Sequence, residues 1–121
     1  MLQGAHIVAR RCFGCFVGFA HTRFEKAHDR AAFHFMVRPE DREAYLATMR
    51  RALRAGGQAI IGTFATDGPE QCSGLPVVRY ERATLAGELG PGFRLVDSLH
   101  EEHLTPAGKV QRFQFSRFLR V

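Results

Sequence analysis

Leu53-Arg54-Ala55-Gly56-Gly57-Gln58-Ala59-Ile60-Ile61-Gly62-Thr63-Phe64 decides the fold of this chain. A basic amphipathic helix stops at the paired glycines, and a short apolar run begins directly after them. Glycine takes the left-handed conformation that ends many helices. The run Gln58 to Ala65 is apolar without strict alternation, which suits a strand covered on both faces, as in parallel sheets. The joint is therefore helix to buried strand, and it predicts an α/β protein.

Upstream, Pro39-Glu40-Asp41 starts the helix, with proline at a first-turn position and carboxylates where the helix dipole favours them. Leu46, Met49 and Leu53 share a face, flanked by Tyr45 and Ala52, and Arg50, Arg51 and Arg54 load the C-terminal turns. Before the helix, Phe24 to Arg30 reads as a strand with the polar exit His28-Asp29-Arg30, followed by the mixed stretch Ala31 to Met36. Downstream, Thr66 to Pro76 is rich in turn formers, and in an open parallel sheet a loop at this end lies on the ligand-binding rim. Val77 to Tyr80 leads into a helix from Glu81 to Leu89, with Leu85 and Leu89 on one face and Gly90 as its stop. Gly87 to Gly92 imitates a dinucleotide fingerprint, but these glycines close a helix, whereas a phosphate loop opens one. Phe93 to His103 and Lys109 to Val121 are two strands joined by the turn Thr105-Pro106-Ala107-Gly108, a β-hairpin. Its second strand carries Phe113, Phe115, Leu119 and Val121 at period two.

With 121 residues, 45% apolar and 24% charged, the chain is sized for one domain. The net charge of +5 is almost wholly arginine, with Lys26 and Lys109 the only lysines, and the basic residues are interspersed with acidic ones. A nucleic-acid groove calls for clustered basic residues with interleaved aromatics, so nucleic acid is not the expected partner. No apolar run approaches the roughly 20 residues that span a bilayer. Three cysteines, Cys12, Cys15 and Cys72, are too few for a secreted disulfide framework and point to a cytoplasmic setting. Arg10-Arg11 before Cys12 to Ala20 has the outline of a secretion signal, against which stands how little domain its removal would leave.

Residues 1 to 23 form an irregular segment in which Ile7-Val8 and Phe16-Val17 are short strand candidates. Cys12 and Cys15, with His6 and His21 on either side, offer four ligand types suited to tetrahedral zinc. No turn separates the ligand pairs, and small apolar cysteines packed in a core or strand are the plainer reading. No metal site is therefore expected. A redox role also lacks the amphipathic helix after Cys15 that would lower its pKa.

The order strand, helix, strand, helix, hairpin is similar to the C-terminal half of class I S-adenosylmethionine-dependent methyltransferases, and residue motifs strengthen the resemblance. Leu53-Arg54-Ala55-Gly56-Gly57 resembles their Leu-(Lys/Arg)-Pro-Gly-Gly signature before the fifth strand, with Ala55 in place of proline. Ala27-His28-Asp29-Arg30-Ala31-Ala32-Phe33-His34-Phe35 resembles the Trp-His-Asp-Arg-Ala-Val-Phe-His-Phe segment of one bacterial branch, with Ala27 in place of tryptophan. Cys72 to Tyr80 resembles the Cys-Ser-Gly-Leu-Pro-Val-x-Arg-Tyr segment of that branch. The resemblance covers residues 24 to 121 and implies half of a Rossmann-like sheet, with equivalents of strands 4-5-7-6, the last strand antiparallel, and two helices.

The resemblance further implies methyl transfer from S-adenosylmethionine to a small molecule. His28, Asp29, Arg30 and His34 would face the reacting groups, and Cys72, Arg79 and Tyr80 would line the substrate side. A near-neutral histidine, His28 or His34, would take the acceptor's proton. The Gly-rich loop and the acidic ribose-binding residue of the family's first half have no counterpart in this sequence, and Gly14-x-x-x-Gly18 is no substitute. The chain thus looks like a truncated product or a half-domain completed by something else, and by itself it is not expected to bind S-adenosylmethionine with ordinary affinity. Without strands one to three, the fourth strand is expected to be an open edge, a template for homodimer pairing, and a non-catalytic dimerising module is the alternative reading.

Overall fold

The computed structural model describes residues 6–9 and 24–121, with only the backbone of the first of these segments. Elements run in the order β1 (His6–Ala9), β2 (Phe24–Arg30), a single 3-10 turn (Phe33–Phe35), α1 (Pro39–Ala52), β3 (Leu53–Phe64), β4 (Gln71–Cys72), β5 (Leu75–Pro76), α2 (Arg82–Leu89), β6 (Phe93–Leu104) and β7 (Val110–Arg120). The main sheet has the order β1-β2-β3-β7-β6, and β4 with β5 makes a separate small ladder. β1, β2 and β3 run parallel, whereas β7 is antiparallel to both neighbours. The predicted half-sheet with a reversed last strand is thus present as β2-β3-β7-β6. One expectation changes: β2 is not an open edge, because β1 pairs with it in parallel through His6↔Lys26 to Ala9↔Asp29. The strand candidate Ile7-Val8 lies in β1, whereas Phe16-Val17, Cys12, Cys15 and His21 lie outside the described residues.

The joint at Leu53 differs in detail from its expected form. α1 ends at Ala52, before the glycines, and Leu53 already has extended backbone. Leu53 pairs with Phe24, and the next pair is Lys26 with Gln58, so the intervening residues of β3 bulge out of the ladder. Gly56 has φ +78 within that bulge, a conformation open to glycine at little cost. Gly57 is held closely, since a Cβ there would sit 2.8 Å from the Arg54 carbonyl oxygen. The paired glycines serve the bulge rather than the helix end.

Alternation along β2 and β3 sorts side chains to two faces. Ala27, Ala59 and Ile61 face the helices and pack with Tyr45, Leu46, Met49, Leu85, Leu89, Phe33, Phe93 and Phe118 in the main core. The opposite face has a smaller cluster of Phe64, Cys72 and Phe113, with Phe35, Val77 and Phe115 packed against it. In β7 the period-two aromatics Phe113 and Phe115 lie on this second face. Alternating with them, Gln114 and Ser116 are fully buried and point to the helical side. Their polar groups are satisfied there: Gln114 Nε2 donates to Thr63 Oγ1 (3.0 Å), and Ser116 Oγ donates to Gln114. α2 begins at a capping box, with Glu81 as N-cap and Thr84 returning the bond to its backbone.

Candidate functional site at the carboxyl ends of the parallel strands

β2 ends at Arg30 and β3 at Phe64, side by side, so the segments after them form one rim. The chain leaves β2 through Ala31, at φ 63, whose N–H still reaches the Gly62 carbonyl at 2.9 Å. Asp29 organises the turn beyond it. Its carboxylate accepts from the backbone N–H groups of Ala32 (2.8 Å) and Phe33 (3.0 Å) and from the Tyr45 hydroxyl on α1. The group is fully buried, and burial pushes its pKa up to about 6 even though all three hydrogen bonds pull the other way. The turn so held sends Phe33 into the main core, 5.3 Å from the Tyr45 ring and 5.6 Å from the Tyr80 ring.

His34 ties this turn to β3. Its Nδ1 accepts from the Phe64 N–H at 3.0 Å, and its carbonyl accepts from Val78 N–H at 2.8 Å. With Nδ1 acting as acceptor, the neutral ring carries its proton on Nε2. Tyr80 N–H donates to the Phe64 carbonyl (3.0 Å), so the far end of the loop returns to the same point on β3. Arg79 binds the loop internally: Nη1 donates to the carbonyls of Thr66 (2.9 Å) and Gly68 (3.1 Å). Cys72 is a buried free thiol beside Phe64 and Phe113. The Tyr80 ring is buried in the main core, and its hydroxyl has no hydrogen-bond partner among the described residues. Burial first, and the nearby Glu88 charge second, push that phenol up to about 12.

The residues expected from the sequence therefore fall into two groups. Asp29, His34, Cys72, Arg79 and Tyr80 are brought together as the frame of the rim; Asp29, His34 Nδ1 and Arg79 bind backbone groups, whereas the Tyr80 hydroxyl does not. His28 and Arg30 are exposed and project from the opposite sheet face, two residues apart on β2. Arg30 lies over both Phe113 and Phe115, its guanidinium carbon 5.4 Å from each ring centroid, and meets Glu101 at 3.9 Å. Sequence reasoning missed Tyr45 as the partner of Asp29. The available signal was a tyrosine on an otherwise apolar helix face, whose hydroxyl needs a buried partner. Phe113, Phe115 and Glu101 gave only a hairpin signal.

The described residues do not by themselves make a cradle for S-adenosylmethionine. The acceptor atoms of Asp29 already hold a turn, and the tight glycines near the rim are filled from within. A Cβ on Gly62 would meet the Phe115 ring at 2.3 Å, and one on Gly68 the Arg112 carbonyl at 2.6 Å. Among the described residues no group of three or more His, Cys, Asp or Glu is placed to hold a metal ion, and no helix is long and apolar enough to cross a membrane.

No family model matches the sequence, and no curated protein matches it. Solved structures do match the fold. A S-adenosylmethionine-dependent methyltransferase from Methanosarcina mazei superposes with TM-score 0.67 at 12% identity, covering 87% of this chain and 63% of that one. The 1,6-didemethyltoxoflavin N1-methyltransferase of Burkholderia thailandensis, solved with 1,6-didemethyltoxoflavin and S-adenosylhomocysteine, gives 0.63 at 23% identity, over 83% of this chain and 45% of that one. The N-methyltransferase NodS from Bradyrhizobium japonicum gives 0.58 at 11% identity, over 82% and 52%. The chain has a class I methyltransferase-like fold, and it spans about half the length of these structures.

Proposed function

We propose that this chain is the acceptor-side half of a S-adenosylmethionine-dependent methyltransferase that acts on a small molecule once a cofactor-binding half is supplied. The observation that supports this reading most is the rim itself. The ends of two adjacent parallel strands, followed by a closed loop from Thr66 to Tyr80, sit in the sheet order of known methyltransferases. Methyl transfer is an in-line displacement at the methyl carbon of a sulfonium, with the thioether as leaving group, catalysed largely by holding the acceptor in line. A rigid rim suits that task. In this reading Asp29, His34, Cys72, Arg79 and Tyr80 are positioning residues, whereas His28 and Arg30 face the acceptor, with His28 the imidazole that takes its proton.

Calorimetry and a graft test the proposal together. The chain alone should give no binding heat with millimolar S-adenosylmethionine. Joined to the cofactor-side half of the Methanosarcina enzyme, and shown folded by circular dichroism, it should bind S-adenosylhomocysteine and produce it from the methyl donor with a small-molecule panel. A folded graft that binds no cofactor refutes the methyltransferase reading. Tight binding by the chain alone refutes the half-site reading.

The second reading is a dimerising module. It draws on the sheet edges: the outer edge of β1 has no strand partner among the described residues, while β6 carries Arg94, Asp97, Glu101 and Glu102, charges that guard an edge. A second copy would then pair through β1. Light scattering that reports a monomer across the working concentration range excludes it.

A further inference from the structure

We propose that Arg30, seated on the stacked rings of Phe113 and Phe115, is the specificity residue of the rim and selects a planar substrate that carries an anionic group. The inference deepens the acceptor-side reading and rests on it.

The platform arises from register. Arg30 pairs with Gly62, Gly62 with Phe115 and Phe115 with Leu99, so these residues form one row across β2, β3, β7 and β6. At its centre glycine leaves the sheet bare, and the Phe115 ring occupies the space a side chain would take. Phe113, one row nearer the rim, stacks on Phe115 with centroids 5.7 Å apart and planes at 19°. The Arg30 guanidinium sits at 5.4 Å from both centroids, within the range where a cation is attracted to a ring face. Leu99, 57% exposed, extends the row as an apolar ledge.

Apart from the two rings, Arg30 is held loosely. Arg117, on the same face, makes a bidentate pair with Asp97 at 3.0 and 2.8 Å. Arg79 and Arg112 also have short acceptors. The Arg30 side chain is 45% exposed, and its ion pair among the described residues is the 3.9 Å approach to Glu101. That distance is too long for a hydrogen bond, and an exposed pair of this kind is weakly held. A planar fork of donors, oriented by two rings and engaged only loosely, matches the two oxygens of a carboxylate. The opposite choice, a cationic substrate drawn to Glu101 and the rings, would have to displace Arg30 from the ring faces it already occupies. With both rings occupied, what faces a substrate is the exposed planar guanidinium and the Leu99 ledge, so the substrate class is an aromatic or heteroaromatic small molecule, stacked on the guanidinium, with a carboxylate or similar anion.

Titration of the full chain with 2-naphthoate, 2-naphthylmethanol and 2-naphthylmethylammonium, followed by naphthalene fluorescence anisotropy, tests this without any methyl donor. Naphthoate should bind at least about tenfold more tightly than the alcohol, and the ammonium should bind no better than the alcohol. Arg30→Gln should remove about a tenfold share of naphthoate affinity, and Phe115→Leu should weaken it severalfold. Glu101→Gln removes the competing carboxylate and should tighten naphthoate binding about two- to threefold, a change no scaffold role would produce. Equal binding of alcohol and naphthoate, or unchanged affinity in Arg30→Gln, or weaker binding in Glu101→Gln, overturns the proposal. Because cofactor is absent, such a failure bears on the platform alone. Failed methyl transfer by the folded graft, with naphthoate binding intact, bears on the methyltransferase reading.

Discussion

Replacing Asp29 with asparagine should erase a pH dependence of folding that the buried carboxyl imposes. In the native state its pKa stands at about 6 against an ordinary 3.8, because burial penalises the charged form more than Tyr45, Ala32 and Phe33 favour it. The folded protein thus holds this proton while the unfolded chain, between those two values, releases it. A raised folded pKa gives stability that is fully present below the unfolded value and lost as pH rises through the folded one. At 1.36 kcal/mol per pH unit the loss is roughly 3 kcal/mol between pH 3.8 and 6, comparable to the burial of the Phe33 ring that the same turn delivers to the core. Asparagine does not titrate, but it offers one acceptor oxygen where the carboxylate serves two backbone N–H groups. A lost or opposed bond there costs about 1–3 kcal/mol at every pH. Urea unfolding of both proteins from pH 4 to 8 checks the balance. The wild type should be the more stable at pH 4, and its advantage should shrink by about 3 kcal/mol by pH 7, cancelling or reversing. Taking the difference removes every other titrating group. A wild-type advantage that is flat across this range to within about 0.5 kcal/mol, or that grows with pH, refutes the reasoning.

Three further outcomes concern the same rim. Tyr80→Phe removes a buried hydroxyl that has no partner among the described residues, so the urea midpoint should hold or rise, by up to about 1 kcal/mol of stability. Gly62→Ala places a methyl group 2.3 Å from the Phe115 ring, and the overpacking should cost about 1–3 kcal/mol by thermal or urea unfolding. Arg79→Ala frees the carbonyls of Thr66 and Gly68, so limited proteolysis should cut first between residues 66 and 70 while the global melting transition moves little.

Much of the architecture was legible because its signals are local. Pro39-Glu40-Asp41 marked the start of α1, the face of Leu46 and Met49 marked its buried side, and Thr105 to Gly108 marked the turn of the hairpin. Errors arose where a residue type has more than one use. Gly56 and Gly57 suggested a helix end, but the bulge in β3 needs them more, and the helix ends in extended backbone at Leu53. Period two in β7 picked out Phe113 and Phe115 as the apolar face, yet Gln114, Ser116 and Phe118 on the other face are fully buried while Phe115 is only partly so. Gln114 bonds Thr63 and Ser116 bonds Gln114 within the helical face, while the opposite face carries the exposed Arg30, so polarity along β7 does not mark the solvent side.

The sequence by itself determined the α/β order of elements, the terminal hairpin and the segments that border the rim, since spacing and turn residues are encoded within a few positions. Tertiary structure decided what each rim residue does. Asp29 meets Tyr45 across 16 positions, and His34 meets Phe64 across 30. Arg30 reaches Phe113 and Phe115 only because β3 lies between them in register and has glycine at the crossing point. Adjacent residues on a strand point to opposite faces, so His28, Asp29 and Arg30, a single motif in sequence, divide between core and surface. Folding spends Asp29 on holding a turn and leaves Arg30 facing outward with a loosely held partner.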